Sequence, residues 1–200
     1  MTVAGGVEYV KFNMFMDPVH VMPVFERAVR RAASGDGLLI DLRENMGGMG
    51  AMAAWLAGFF FDEKGHDFGT FTMKGTELKL VIVPRQDAFD GPVAVLVDGL
   101  SLSAAEFFAD GMQRSGRAAV FGQRTPGFAM PSVIEKLPNG DAIQYVHADY
   151  VTSGGERLEG AGVTPDFEVI PSRDVLLEGR DPVIEAAVEW IKSQKGSMSQ

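Results

Sequence analysis

A serine becomes a nucleophile only when a base takes its proton and preorganised donors receive the charge that attack creates. The hexapeptide Ser101-Leu102-Ser103-Ala104-Ala105-Glu106 offers the hydroxyl. It follows the apolar run Val93–Val97 and opens a stretch with helical periodicity. Its serines therefore fall at the mouth of a helix, where unpaired N–H groups and the helix dipole favour negative charge. The same spacing is also a capping box, with Ser101 or Ser103 as the N-cap and Glu106 three residues after Ser103 closing it. Spacing alone leaves both readings open. A second element, Asn45-Met46-Gly47-Gly48, can turn backbone N–H groups toward an oxyanion because glycine carries no Cβ to restrict the turn. It reads equally as an ordinary strand-to-helix loop. A third, the stretch from Leu158 to Asp166 (LEGAGVTPD), sets the carboxylate of Glu159 before a glycine turn and by itself resembles a solvated loop.

The elements that must hold these pieces follow from hydrophobic periodicity. Residues 6–15 alternate as a strand, and Asp17-Pro18 starts a helix with Val21, Val24, Phe25, Ala28 and Val29 on one side. Leu38-Leu39-Ile40 and Val93–Val97 are short apolar runs bounded by turn residues, the pattern of strands buried on both faces. Strand, helix and buried strand make a βαβ unit and hence a parallel sheet. Residues 51–61 form an apolar helix, and 69–73 with 78–83 a hairpin or flap. Residues 104–114 form a helix and 118–121 a third buried strand. Strands over 133–137 and 142–150 pair around Pro138-Asn139-Gly140-Asp141, a strong turn signal. Residues 181–192 make a last amphipathic helix.

Composition narrows the function classes. The 200 residues are 46% hydrophobic and 22% charged, enough for one domain with a real core. A net charge of −9 argues against a general nucleic-acid binder or an anionic membrane surface as partner. No apolar run reaches the roughly 18 residues that cross a bilayer, and the N-terminus lacks the basic and apolar regions of a signal peptide. There is no cysteine, phosphate-binding glycine loop or dinucleotide fingerprint, and His20, His66 and His147 are scattered, so neither a metal nor a cofactor is implied.

In order, these pieces resemble the protease core of the S41 serine peptidases, which include the C-terminal processing (tail-specific) peptidases and their tricorn-like relatives. The resemblance is carried by residues 7–15, 38–48 (LLIDLRENMGG), 92–116 (PVAVLVDGLSLSAAEFFADGMQRSG), 120–127 (VFGQRTPG) and 159–166 (EGAGVTPD). It implies an α/β, crotonase-like (ClpP-like) fold with a parallel sheet, covering helices and a C-terminal hairpin. The chain then reads as a single core over residues 1–200, the C-terminal part of a longer protein, with a helix and tail over 181–200. The resemblance also implies hydrolysis of peptide bonds in extended or C-terminal segments of unfolded proteins through an acyl-enzyme. By it Ser103 is the nucleophile, and Ala104 with Gly47 or Gly48 forms the oxyanion hole.

The base departs from the best-known branch, whose dyad lysine would follow the Thr125-Pro126-Gly127 turn where this chain has Phe128. That brings the chain nearer the tricorn-like branch, in which a histidine from an upstream segment works with a later glutamate whose place Glu159 takes. Met46, Thr125, Gly127 and Phe128 would line the substrate pocket. A homo-oligomer is left open, and so is the compartment, with a periplasmic or extracytoplasmic setting slightly favoured by the family. The competing reading is a non-catalytic module binding an apolar ligand or peptide on the same fold, with Phe107, Phe108, Phe128, Met46 and Met49 lining its pocket.

Overall fold

The computed structural model describes residues 2–3 and 6–198, with side chains from 6 to 195. The main sheet runs in the order β1 (Thr2–Val3), β2 (Val7–Lys11), β3 (Gly37–Asp41), β6 (Val93–Val97), β7 (Ala119–Gly122) and β11 (Phe167–Glu168). All neighbours are parallel except β1, which lies antiparallel on β2. Three long helices account for most of the cover: α1 (Pro18–Ala32), α3 (Ala104–Arg114) and α5 (Pro182–Met198). The shorter α2 (Gly50–Ala57) continues into a 3₁₀ turn over Gly58–Phe60, and α4 (Arg173–Leu177) precedes α5.

The apolar runs are uninterrupted because both faces of the sheet are covered. Alternation sends Leu38, Ile40, Val93, Val95 and Val97 into the larger core, with Phe25 of α1, Met52 of α2 and Phe108 of α3. Leu39, Ala94 and Leu96 point the other way, onto Val183, Ala187 and Ile191 of α5. Pairing of Asp41 with Leu96, and of Val97 with Gly122, brings the carboxyl ends of three adjacent strands together. The loops at 42–49, 98–103 and 123–130 therefore leave the sheet side by side, where open α/β sheets place their sites.

A second sheet packs on α3. Strands β4 (Asp67–Met73) and β5 (Thr76–Val81) form the expected hairpin, joined by β10 (Asp149–Thr152) on the far side of β4. Phe68 packs edge-on against Phe108, and Tyr150 lies 4.2 Å from Phe107, ring centre to ring centre. Gly111 makes that approach feasible, since a Cβ there would lie 1.9 Å from the Phe68 ring. The run over 142–150 thus divides: β9 (Ala142–Val146) pairs with β8 (Ser132–Lys136), while Tyr150 enters the other sheet and is buried. The first strand also ends early, at Lys11, leaving Phe15 in a single bridge to Gly48. No described helix is long and apolar enough to cross a membrane.

Candidate active site

The turn after β6 is built around two serines with different employment. Ser101 is buried, and its hydroxyl donates to the Leu42 carbonyl at 2.8 Å while accepting the Asp98 N–H at 2.9 Å. It fastens this turn to the end of β3. Ser103, half-buried, is the N-cap of α3 and holds φ 51° and ψ −113°. A non-glycine residue in that conformation is strained, and such strain persists only where neighbouring contacts over-determine it. One contact is visible: the Glu106 carboxylate accepts the Ser103 N–H at 3.0 Å. The capping geometry is therefore real, and it does not compete with the chemical reading, because it fixes the backbone that aims the serine.

Glu106 does more than cap. It is fully buried, and its other oxygen receives the Thr125 hydroxyl at 2.6 Å and the Gly127 N–H at 2.7 Å. Burial pushes its pKa up, opposed by these donors. One carboxylate thus joins the serine turn to the loop after β7. Thr125 extends the link, since its hydroxyl accepts the Val163 N–H at 2.7 Å and its own N–H reaches the Val163 carbonyl. Glycine is required where these loops touch: a Cβ on Gly127 would fall 2.8 Å from the Gly160 and Ala161 nitrogens. The sequence marked Glu106 only as a cap. The available signal was a carboxylate set among Ala104, Ala105, Phe107 and Phe108, all of which are core.

The glycine loop lies directly against the serine. Buried Asn45 accepts the Gly47 N–H through Oδ1, donates to the Phe12 carbonyl and accepts the Leu102 N–H on its backbone oxygen. Gly47, at φ 83°, comes so close that a Cβ would lie 2.8 Å from Ser103 Cβ and 3.1 Å from the Ala104 nitrogen. The Gly47 carbonyl accepts the Phe15 N–H at 2.7 Å. Since C=O and N–H point oppositely across a trans peptide, the Gly48 N–H is directed away from Phe15. Among the described residues neither it nor the Ala104 N–H has an acceptor. Behind the loop, buried Asp41 takes the Tyr9 hydroxyl and Arg43, and Arg43 reaches Asp181 at the start of α5.

Glu159 is half-buried, and its Oε2 accepts the Ala129 and Met130 N–H groups at 2.8 and 3.0 Å. Its Oε1 has no partner among the described residues. Phe128 and Met46 stand exposed beside the two loops. The histidines are engaged elsewhere: His20 with Asp17, His66 against the Phe61 ring, His147 with the Pro131 carbonyl. Phe107 and Phe108 do not line a pocket, being sealed into the core against Tyr150 and Phe15. A cavity of about 490 Å³ lies at the opposite, amino end of the strands, between Pro92, Arg117 and Trp190.

Comparison with known proteins places the chain in a family. The model of peptidase family S41 matches residues 6–169. A protein named "Probable CtpA-like serine protease" from Staphylococcus epidermidis is 31% identical over 140 residues, covering 66% of this chain and 27% of that protein. Carboxyl-terminal-processing peptidase 1, chloroplastic, from Arabidopsis thaliana is 27% identical over 140 residues, covering 70% and 29%. The chain therefore spans under a third of the length of these relatives. The crystal structure of mature CPAF shares the fold, with a TM-score of 0.78 at 16% identity, over 93% of this chain and 50% of that one. The chain belongs to peptidase family S41.

Proposed function

We propose that this chain is the serine-bearing core of a peptidase that cleaves extended or C-terminal segments of unfolded polypeptides. Ser103 Oγ attacks the scissile carbonyl while a base takes its proton, and the developing oxyanion is received by the Ala104 and Gly48 N–H groups. Collapse of the tetrahedral adduct breaks the C–N bond, the leaving amine takes the proton, and water then releases the acyl group from Ser103. Gly47 serves as the close-packed neighbour rather than a donor, because its N–H belongs to Asn45. The supporting observation is the strained Ser103 backbone at φ 51°, packed against a glycine that tolerates no side chain.

The general base is assigned to a histidine from an upstream segment of a longer chain. Glu159 Oε1 orients that imidazole while Oε2 holds residues 129–130 in place. A second reading, a non-catalytic peptide-binding module, is favoured by one feature: Phe128, an exposed ring, stands where the dyad lysine of the C-terminal processing branch would be. Intact-mass analysis after treatment with a fluorophosphonate decides between them. A single adduct on the wild-type chain or its longer parent, lost in Ser103→Ala, is the expected result. No adduct on either would favour the binding module.

A further inference from the structure

Met14, Met16, Met46 and Met49 are exposed by 48, 46, 54 and 39%, whereas Met52 and Met112 are fully buried and Met22, Met73 and Met130 half-buried. Among the described residues, these four exposed thioethers occupy two segments, and the segments touch. The Met46 N–H donates to the Asn13 carbonyl and the Met49 N–H to the Phe15 carbonyl, at 3.0 and 2.8 Å. Phe15 faces inward and is buried, which turns its neighbours Met14 and Met16 outward. Met16 closes the patch, since its Cγ would lie 3.2 Å from a Cβ on Gly48. The segments enclose the same Gly47-Gly48 loop that packs on Ser103.

Thioether side chains are unbranched, polarizable and adaptable, which suits contact with varied apolar partners. The same sulfur is oxidised by peroxides to a polar, chiral sulfoxide that reductases reverse. We propose that these four methionines form a rim that docks apolar side chains of the polypeptide to be cleaved, and that peroxide oxidation of the rim reversibly closes the site. The proposal rests on the peptidase reading for its occupant. In the oxidation step a sulfur lone pair attacks one peroxide oxygen: the S–O bond forms, the O–O bond breaks, and the departing oxygen leaves as water after proton transfer. Sulfur loses two electrons and peroxide gains them. Reduction by two thiols regenerates the thioether with one disulfide and one water.

The test uses the Ser103→Ala chain, so binding is read without turnover. Its probe is a fluorescein-labelled unstructured peptide rich in Leu, Phe and Ala, followed by anisotropy. Graded hydrogen peroxide with peptide mapping should add one oxygen to Met14, Met16, Met46 and Met49 before Met22, Met73 and Met130. Affinity should weaken by about tenfold or more as apolar contacts become polar. Methionine sulfoxide reductases of both epimer specificities should restore it. The quadruple Met→Leu variant, compared with itself before and after treatment, should lose the peroxide-dependent drop in affinity. Four sulfoxides with unchanged affinity, or a Leu variant as peroxide-sensitive as the parent, would overturn the proposal alone. No binding by the reduced protein would overturn the polypeptide occupant and the peptidase reading's substrate class with it.

Discussion

Glu106 and Asp110 sit one turn apart on α3, both almost wholly buried, yet their surroundings are finished differently. Around Glu106 three donors converge from two loops, so both of its oxygens are engaged. Around Asp110 only Arg114 donates, to Oδ1, and Oδ2 has no partner among the described residues. Burial raises the pKa of both. The contrast separates a carboxylate that assembles a site from one that is merely tolerated. At Glu106 the desolvation cost is offset by three donors that tie two loops together; at Asp110 it is offset only through a half-exposed arginine also paired to Glu156.

The largest effect is expected at the contact that Glu106 supports. Gly47→Ala would force a methyl to within 2.6 Å of the Leu102 carbonyl and 2.8 Å of Ser103 Cβ. Displacing an oxyanion donor typically lowers turnover by ~10²–10³, so fluorophosphonate labelling or turnover should fall on that scale. An alanine variant that reacts like the parent would show that the loop takes no part. Next, Glu106→Gln replaces one acceptor oxygen with an NH₂ group facing donors, and urea denaturation should show a loss of about 1–3 kcal/mol. Asp110→Asn, which exchanges a half-satisfied charge for a half-satisfied amide, should change stability by about 1 kcal/mol or less. Equal losses for the two variants would erase the distinction.

The pH dependence sharpens the same comparison. A carboxyl whose folded pKa exceeds its unfolded value makes the folded state bind more protons. Its contribution is therefore most favourable at low pH and diminishes as pH rises from the unfolded value through the folded one. Both Glu106 and Asp110 act in this direction. Glu106→Gln and Asp110→Asn should each flatten the decline in stability across that window, measured as urea midpoints against pH. A steeper decline in either variant would contradict the assigned direction. The smallest effect belongs to the β8–β9 hairpin, remote from α3: Ile134 is 72% exposed, so Ile134→Thr should alter stability by less than about 0.5 kcal/mol.

The same contrast explains what could be read in advance. Leu38–Ile40 and Val93–Val97 announced their burial because local composition and length suffice for a two-sided strand, and Asn139-Gly140 announced its turn. Ser103 and Gly47 were visible as residue types at strand ends. The role of Glu106 was not, because its partners Thr125 and Gly127 arrive from 19 and 21 residues away through the return of β7. The sequence pattern puts Tyr150 in the β8–β9 hairpin rather than the second sheet for a related reason. Its strand pattern continues that of Ala142–Val146, and only packing on Phe107 and Phe71 draws it into the second sheet. Two-residue β11 carries too few residues for any periodicity.

The catalytic assignment of Ser103 depends on where an attacked carbonyl would place its oxygen. A crystal structure of the chain treated with a peptide boronic acid measures this. The expected result is a tetrahedral boronate bonded to Ser103 Oγ, with one boronate oxygen within hydrogen-bonding distance of both the Ala104 and Gly48 nitrogens. A boronate on Ser103 whose oxygens avoid those nitrogens, or one bound to another residue, would contradict it.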